Sequence, residues 1–83
     1  MNLKSLGKNQ TVVTSTFGFA EQRVFFSYST PVAAFLADGA EFVQTSEHYS
    51  ATTSRHINAW LRSHGENPAT VRKVSASFLA GLV

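Results

Sequence analysis

The chain contains no cysteine and no long apolar run, and each absence excludes a class of function. Without cysteine there is no disulfide, no thiol chemistry and no zinc site built on thiolates. No stretch approaches the roughly 18 consecutive apolar residues of a membrane-spanning helix, so no contact with a membrane is expected. The N-terminal residues lack the apolar run of a secretory signal, and the expected compartment is therefore the cytoplasm.

Charge is also sparse, since charged residues make up 14% of the 83 and hydrophobic residues 43%. This apolar fraction suffices for one small core, so we expect a single folded domain over residues 10–83. Residues 1–9 show no clear periodicity and are predicted to form a flexible N-terminal arm. The net charge of +2 is modest. The basic residues are spread along the chain, whereas in most nucleic-acid-binding domains they are clustered.

Alternation of apolar and polar residues predicts four strands in the first half of the chain, over residues 10–17, 22–29, 32–37 and 40–45. Gly18 to Glu21 is expected to be a turn. Asp38 and Gly39 favour a type I′ hairpin, because both central positions of that turn need a positive φ. Pro31 has no amide proton and should lie at an edge, a bulge or a turn. The short connections favour an antiparallel meander.

One amphipathic helix is predicted over roughly residues 52–64. Ile57, Trp60 and Leu61 share one face of it and are expected in the core. Trp60 is expected to face some of four aromatic residues on the sheet, Phe25, Phe26, Tyr28 and Phe35, and Phe26 and Tyr28 are counted among the core candidates.

The predicted fold class is therefore α+β, with a sheet of about four antiparallel strands packed by one helix. A short C-terminal strand or helical turn is expected to complete the domain. The helix should be capped by Ser50 or Thr52 at its start and followed by Gly65 at its end.

No arrangement of residues predicts catalysis, and no metal or cofactor is expected. Ser54 and His56 lie on different sides of the predicted helix, so they cannot form a nucleophile–base pair. His56 and His64 are about 12 Å apart along the helix and cannot share a metal ion. A chance pair of Glu47 with His48 is the remaining metal candidate. The glycines are isolated and form no phosphate-binding loop. We therefore expect a protein that is not an enzyme.

The start of the predicted helix combines hydroxyl groups with cations. A helix N-terminus carries unpaired amide donors and a partial positive charge, which together favour a bound phosphate or carboxylate. This predicts an anion or nucleic-acid site with Arg55 as its main cation, with Arg62 on the same face, and with three hydroxyl donors: Thr52, Thr53 and Ser54. The alternative is that these hydroxyls only cap the helix and bond to their own backbone.

Two segments, SYSTPVAAF over residues 27–35 and YSATTSRHINAWL over residues 49–61, resemble together a family of short bacteriophage and prophage proteins of unknown function. The resemblance covers residues 24–61. It implies a phage or prophage origin and a cytoplasmic location in an infected bacterium, and it implies no activity. The motif positions are Tyr28, Pro31, Tyr49, Ser50, Thr52, Thr53, Ser54, His56, Asn58 and Trp60.

Two classes of function remain. The first is a small accessory protein that binds a host or phage protein, which the aromatic content of 12% and the lack of catalytic groups favour. The alternative is a nucleic-acid-binding protein that uses the basic face of the helix around Arg55 and Arg62, with an affinity that falls steeply with salt. Association into a homo-oligomer through an exposed edge strand is compatible with either class.

Overall fold

The computed structural model describes residues 2–7, 9–17, 20–37 and 40–82. In chain order the elements are β1 (Asn2–Gly7), β2 (Gln10–Phe17), β3 (Ala20–Ser27), β4 (Thr30–Leu36), β5 (Glu41–Thr45), α1 (Ala51–Ser63), β6 (Arg72–Val74) and α2 (Ala76–Ala80). The strands lie side by side in sequence order, from β1 to β6. The predicted α+β class is confirmed.

The predicted four-strand antiparallel meander corresponds to β2, β3, β4 and β5. β3 begins at Ala20, within the predicted turn, because the ladder continues until Ala20 lies opposite Phe17. Asp38 and Gly39 lie outside the described residues, and so do Gly18 and Phe19. The strands on either side of Asp38 and Gly39 do form the expected antiparallel pair, with Leu36 opposite Glu41.

Both ends of the chain add strands to this meander. β1 pairs antiparallel with β2, so the flexible arm predicted for residues 1–9 is wrong over Asn2–Gly7. Strand formation there follows from backbone pairing with β2, which the local side-chain pattern of the segment does not signal. At the other side β6 pairs with β5 in parallel, which makes β2–β6 a mixed sheet. A parallel neighbour requires a crossover connection, and α1 provides it.

Helix α1 covers one face of the sheet. Ile57, Trp60 and Leu61 are buried there. The Trp60 ring stacks on Phe25 of β3, with 5.1 Å between centroids and 9° between ring planes. The other buried members of this cluster are Val12, Val32, Ala33 and Val71. This interface fixes the position of α1 over β3, and with it the position of every polar group at the start of the helix.

Helix α2 packs on the opposite face of the sheet. The same strands present side chains on both faces, because neighbouring residues of a strand point to opposite sides. Its Leu79 is fully buried against Val24, Ala34 and Val43. Of the four aromatic residues expected to face Trp60, Phe25 does so, whereas Phe26 belongs to this other side and is only partly buried. Tyr28 was also expected in the core and is instead 54% exposed, because it follows the last residue of β3 and lies beyond the packed strand.

Both ends of α1 are capped by residues suited to the task. Ser50 is the N-cap, and its hydroxyl accepts a hydrogen bond from the Thr53 amide at 3.1 Å. At the other end Gly65 has φ of 78°, and the amide of Glu66 bonds to the Leu61 carbonyl at 3.0 Å. That pattern is a Schellman motif, which favours glycine. Pro31 lies beside the register shift between β3 and β4, which is a bulge position.

Candidate functional site

Four side chains form one hydrogen-bonded chain between β3 and the start of α1, which we call the Ser27–His56 network. Ser50 Oγ donates to Thr53 Oγ1 at 3.2 Å. Thr53 Oγ1 lies 3.3 Å from Ser27 Oγ, and Ser27 Oγ lies 2.8 Å from His56 Nδ1. Thus the last residue of β3 is bonded to two successive turns of α1.

Burial gives the Ser27–His56 network its energetic weight. Ser27 is 2% exposed and Thr53 6% exposed, so neither hydroxyl can turn to water if its partner is lost. A buried polar group without a partner costs about 1–3 kcal/mol. If each hydroxyl donates once along the chain, Ser27 donates to His56 Nδ1. The proton of a neutral His56 is then on Nε2, on the side of the ring away from Ser27.

Tyr28 is held beside this network in an unusual backbone conformation. Its φ is 59°, in the left-handed region that costs a residue with a side chain about 1–2 kcal/mol. Its amide donates to the Asn9 carbonyl at 2.7 Å, which fixes the turn against the turn between β1 and β2. The Tyr28 ring lies 6.1 Å from the His56 ring, centroid to centroid. Holding Tyr28 on the surface in this turn therefore costs backbone conformational energy.

A shallow groove of about 280 Å³ opens on the other side of Tyr28. It lies on the face that carries α2, since Leu3 pairs with Val13 and Val13 with Val24. Leu3 is 67% exposed at its edge. The groove is lined by Leu3, Thr11, Val13, Phe26, Tyr28 and Ser29. We call this surface the Tyr28 groove.

The structure places the three hydroxyls that were predicted as anion donors in different environments. Thr53 is buried and bonded within the Ser27–His56 network, so it is not free to bind a ligand. Thr52 and Arg55 are exposed. Ser54 is half-buried and lines a separate groove that also contains Lys73. The Thr53 hydroxyl fits neither interpretation, because it bonds to the side chains of Ser27 and Ser50 rather than to a ligand or to its own backbone, while Arg55 is presented to solvent.

The predicted basic surface is only partly assembled. Arg72 makes two hydrogen bonds to Glu41, each 3.0 Å long, across the exposed β5–β6 edge. The Arg72 guanidinium lowers the pKa of the Glu41 carboxyl, and Glu41 raises the pKa of Arg72. Arg23 is likewise paired with Glu21, at 2.6 Å. Arg55 and Arg62 are exposed and form no ion pair with any residue that the structure describes.

His64 closes the opposite end of α1 and belongs to an aromatic cluster. Its ring lies 5.0 Å from Trp60 and 5.3 Å from Phe42, centroid to centroid. Desolvation by burial lowers the pKa of His64, and the charge of Arg23 lowers it further. This histidine therefore packs as a neutral aromatic group at physiological pH.

Within the described ranges no group of three or more histidines or acids could hold a metal ion. Glu47 and His48 both line the groove beside Ser54, without a third ligand of that kind. Among the described residues there is also no helix with the length and apolar character needed to cross a bilayer.

Sequence reasoning missed Ser27, the residue on which the Ser27–His56 network depends. In the sequence it is an ordinary polar position of an alternating strand, and only the packing of α1 shows that it faces the helix. The available signal is that Ser27 begins one of the two motifs that carry the resemblance, SYSTPVAAF, while Thr53 and His56 belong to the other. The Ser27–His56 network is the place where the two motifs meet.

These features define a small α+β domain with a mixed sheet, a buried hydroxyl–histidine network and an exposed tyrosine beside it. The chain belongs to a family of unknown function, DUF8033, whose model matches residues 1–76. The match extends well beyond residues 24–61, to which the motif resemblance was limited, and includes β1 and β6. No curated protein and no solved structure matches the chain.

Proposed function

We propose that this protein is a non-enzymatic binding module that contacts a partner protein through Tyr28 and the Tyr28 groove. The observation that carries the proposal is the combination of 54% exposure and a φ of 59° at Tyr28. A strained residue on the surface is kept only where the surroundings enforce it, and such residues concentrate at binding sites. Tyrosine is also among the residues that contribute most to protein interfaces.

The pairing of Ser27 with His56 does not favour an enzyme. Nucleophilic catalysis needs a serine that a substrate can reach and a base held by a third group. Ser27 is 2% exposed, and no described side chain bonds to His56 on the side away from Ser27. The pair instead lies beside Tyr28, whose ring is 6.1 Å from the His56 ring, centroid to centroid. The motif resemblance further supports a bacteriophage or prophage origin, with a host or phage protein in the bacterial cytoplasm as the partner.

Site-specific photo-crosslinking tests the proposal. A photoreactive phenylalanine analogue replaces Tyr28 in cells that naturally produce the chain, and the same analogue replaces Phe78 as a control. Phe78 is also an exposed aromatic residue, 41% accessible on α2. We expect a discrete crosslinked protein from position 28 that position 78 does not give. Identical products from both positions, or none from position 28, would contradict the proposal.

Nucleic-acid binding is the second candidate, and it is favoured by the charge of α1. The helix contains no acidic residue, and Arg55 and Arg62 are seven positions apart on one exposed face. Fluorescence anisotropy with labelled single-stranded and duplex DNA and RNA tests this candidate at low and at physiological salt. Affinity that falls with salt and with both Arg55→Ala and Arg62→Ala would support it. Absence of binding at low salt would exclude it.

A further inference from the structure

Strand β1 forms one edge of the sheet. It pairs with β2 on its inner side, and no strand among the described residues lies beyond it. In an antiparallel pair, alternate residues of an edge strand direct their N–H and C=O groups away from the neighbouring strand. Such a row of backbone groups is a template on which another extended chain can pair. The register with β2 is regular from Asn2 to Ser5, and the bulge follows only between Ser5 and Gly7.

The opposite edge, β6, has the features that prevent such pairing. It is three residues long, and two of them are the exposed cations Arg72 and Lys73. Arg72 is moreover held by Glu41 of β5. Edge strands that are short and charged resist the addition of another strand. β1 is six residues long and contains one charged residue, Lys4, so it is the edge better suited to a partner.

Apolar surface continues from β1 onto one face of the sheet. Leu3 is 67% exposed, the highest value among the large hydrophobic side chains that the structure describes. It lines the Tyr28 groove together with Val13, which lies opposite it on β2, and Phe26 of β3. A strand added beside β1 would place alternate side chains on this same face, next to Leu3. One surface therefore offers backbone pairing at the edge and apolar contact beside it.

We infer that a partner protein adds an extended segment to β1 as a seventh strand of the sheet, with an apolar residue of that segment against Leu3 at the border of the Tyr28 groove. This inference rests on the proposed function and adds the mode of binding. In this mode main-chain hydrogen bonds supply affinity, and the alternate side chains that meet the sheet face supply specificity.

An extended segment fits this edge better than a second copy of the chain does. A strand of six residues is about 20 Å long and a sheet edge about 10 Å thick, which gives a contact of about 200 Å². A standard interface takes about 800 Å² from each partner. Two antiparallel β1 strands centred on each other would also bring Lys4 of both copies opposite one another or within two positions, and such like charges are destabilising. A segment outside any sheet can bend towards the Tyr28 groove and so add contact area.

A fluorescein-labelled peptide with the sequence of residues 10–17 is the matched probe, because β2 pairs with β1 through that sequence. Two further peptides carry N-methyl groups on alternate residues, one at positions 11, 13 and 15 and the other at positions 12, 14 and 16. Fluorescence anisotropy measures the binding of all three to the full chain. We expect a dissociation constant in the micromolar range for the unmethylated peptide.

The two methylated peptides distinguish strand addition from other modes of binding. A strand added at an edge uses only one side of its backbone. One methylated peptide should therefore bind within about twofold of the parent peptide, and the other at least about tenfold more weakly. Equal binding of both would indicate apolar adhesion without backbone pairing. Loss with both would indicate insertion between two strands. Either result overturns the inference.

Matched variants locate the binding surface. Leu3→Lys places a charge at an exposed position and should weaken binding of the unmethylated peptide about tenfold. Phe78→Lys makes the same kind of change at an exposed ring on α2 and should alter the affinity less than about twofold. Circular dichroism confirms that both variants are folded. Amide hydrogen exchange followed by NMR gives an independent readout, since the peptide should slow exchange in β1 and leave β6 unchanged.

Three other results overturn the inference. The first is no binding of the unmethylated peptide at protein concentrations up to about 1 mM. The second is an equal loss with Leu3→Lys and Phe78→Lys. The third is a concentration-dependent dimer, measured by sedimentation without peptide, that Leu3→Lys abolishes, because the edge would then belong to a second copy. If position 28 still crosslinks to a partner, the proposed function survives each of these failures.

Discussion

Ser27 Oγ and His56 Nδ1 are 2.8 Å apart, although 29 positions separate the two residues in the chain. Ser27 ends β3 and immediately precedes Tyr28, while His56 lies in the second turn of α1. The bond therefore ties the helix to the turn that presents the exposed tyrosine. Substitution of either residue should therefore lower the stability of the protein and reduce the order around Tyr28.

Replacing Ser27 with alanine should destabilise the protein by about 1–3 kcal/mol, because Thr53 and His56 each lose a buried partner. Urea denaturation followed by Trp60 fluorescence measures the free energy of unfolding. Ser63→Ala is the matched control, since Ser63 is exposed and bonds only to the Trp60 carbonyl of its own helix. It should stay within about 0.5 kcal/mol of the parent. Equal midpoints for the two variants would show that the Ser27–His56 network contributes nothing.

Two neighbouring residues of α2 should respond very differently to truncation. Leu79 is fully buried and Phe78 is 41% exposed. Leu79→Ala should cost about 2–5 kcal/mol through lost burial and the cavity that remains. Phe78→Ala should cost less than about 1 kcal/mol, although it removes the larger side chain. Thermal or urea unfolding distinguishes the two. Similar costs would mean that α2 does not pack on the sheet in the native state.

Alanine substitutions at two glycines should change stability in opposite directions. Gly65 has a φ of 78°, so Gly65→Ala meets no side-chain clash but places a Cβ in the left-handed region, at a cost of about 1–2 kcal/mol. Gly81 is in the right-handed region, and an added Cβ would lie 3.5 Å from the carbonyls of Ser77 and Phe78, which is ordinary contact. Gly81→Ala should therefore be neutral or add up to about 1 kcal/mol of stability. Calorimetric melting temperatures test the sign, and a stabilised Gly65→Ala would contradict the assigned cap.

Stability should fall on mild acidification because of His64. Burial and the charge of Arg23 lower the pKa of His64 in the folded protein. The unfolded chain therefore binds a proton more readily, so the contribution is fully present above a pH of about 6.5 and is lost as pH falls through the lower folded value. Denaturation at pH values of about 7.5 and 5.5 should show a smaller loss for His64→Gln than for the parent.

His48 provides the control for this measurement. It is an exposed loop histidine, so His48→Gln removes one imidazole without altering the aromatic cluster around His64. The same slope in the parent and in His64→Gln would mean that the aromatic cluster tolerates the protonated imidazole. A slope that changes in both variants would assign the effect to net charge instead.

The amino-acid pattern predicts the strands and the helix whose apolar residues recur at a regular spacing along the sequence. Val24 and Phe26 take alternating positions of β3, with an additional Phe25 between them, and Ile57, Trp60 and Leu61 recur at helical spacing, so the meander and α1 follow from periodicity. β6 is a different case, because its place beside β5 depends on the crossover through α1. β1 is not predicted from the sequence, because a segment that contains Lys4, Ser5 and Gly7 shows no regular apolar repeat.

The candidate site was predictable only in part. Arg55 and Thr52 could be placed on the exposed start of a helix from spacing alone, and they lie there. The position of Tyr28 depended on where β3 ends and on the sign of one backbone dihedral, neither of which apolar periodicity reveals. An aromatic residue in a strand-like segment is more often buried, which is why the core was its expected place.

The order of strands in the sheet also has a consequence for how the chain folds. From β1 to β5 every strand pairs with the strand that precedes it in the chain, so these contacts close short loops. β6 also pairs with the strand that precedes it, but the connection between β5 and β6 runs through α1. This parallel pair can therefore form only after the helix is in place. Local contacts form quickly and distant ones slowly. We therefore expect the hairpins to nucleate folding and the docking of α1 and β6 to complete it, so that the tyrosine surface acquires its support last.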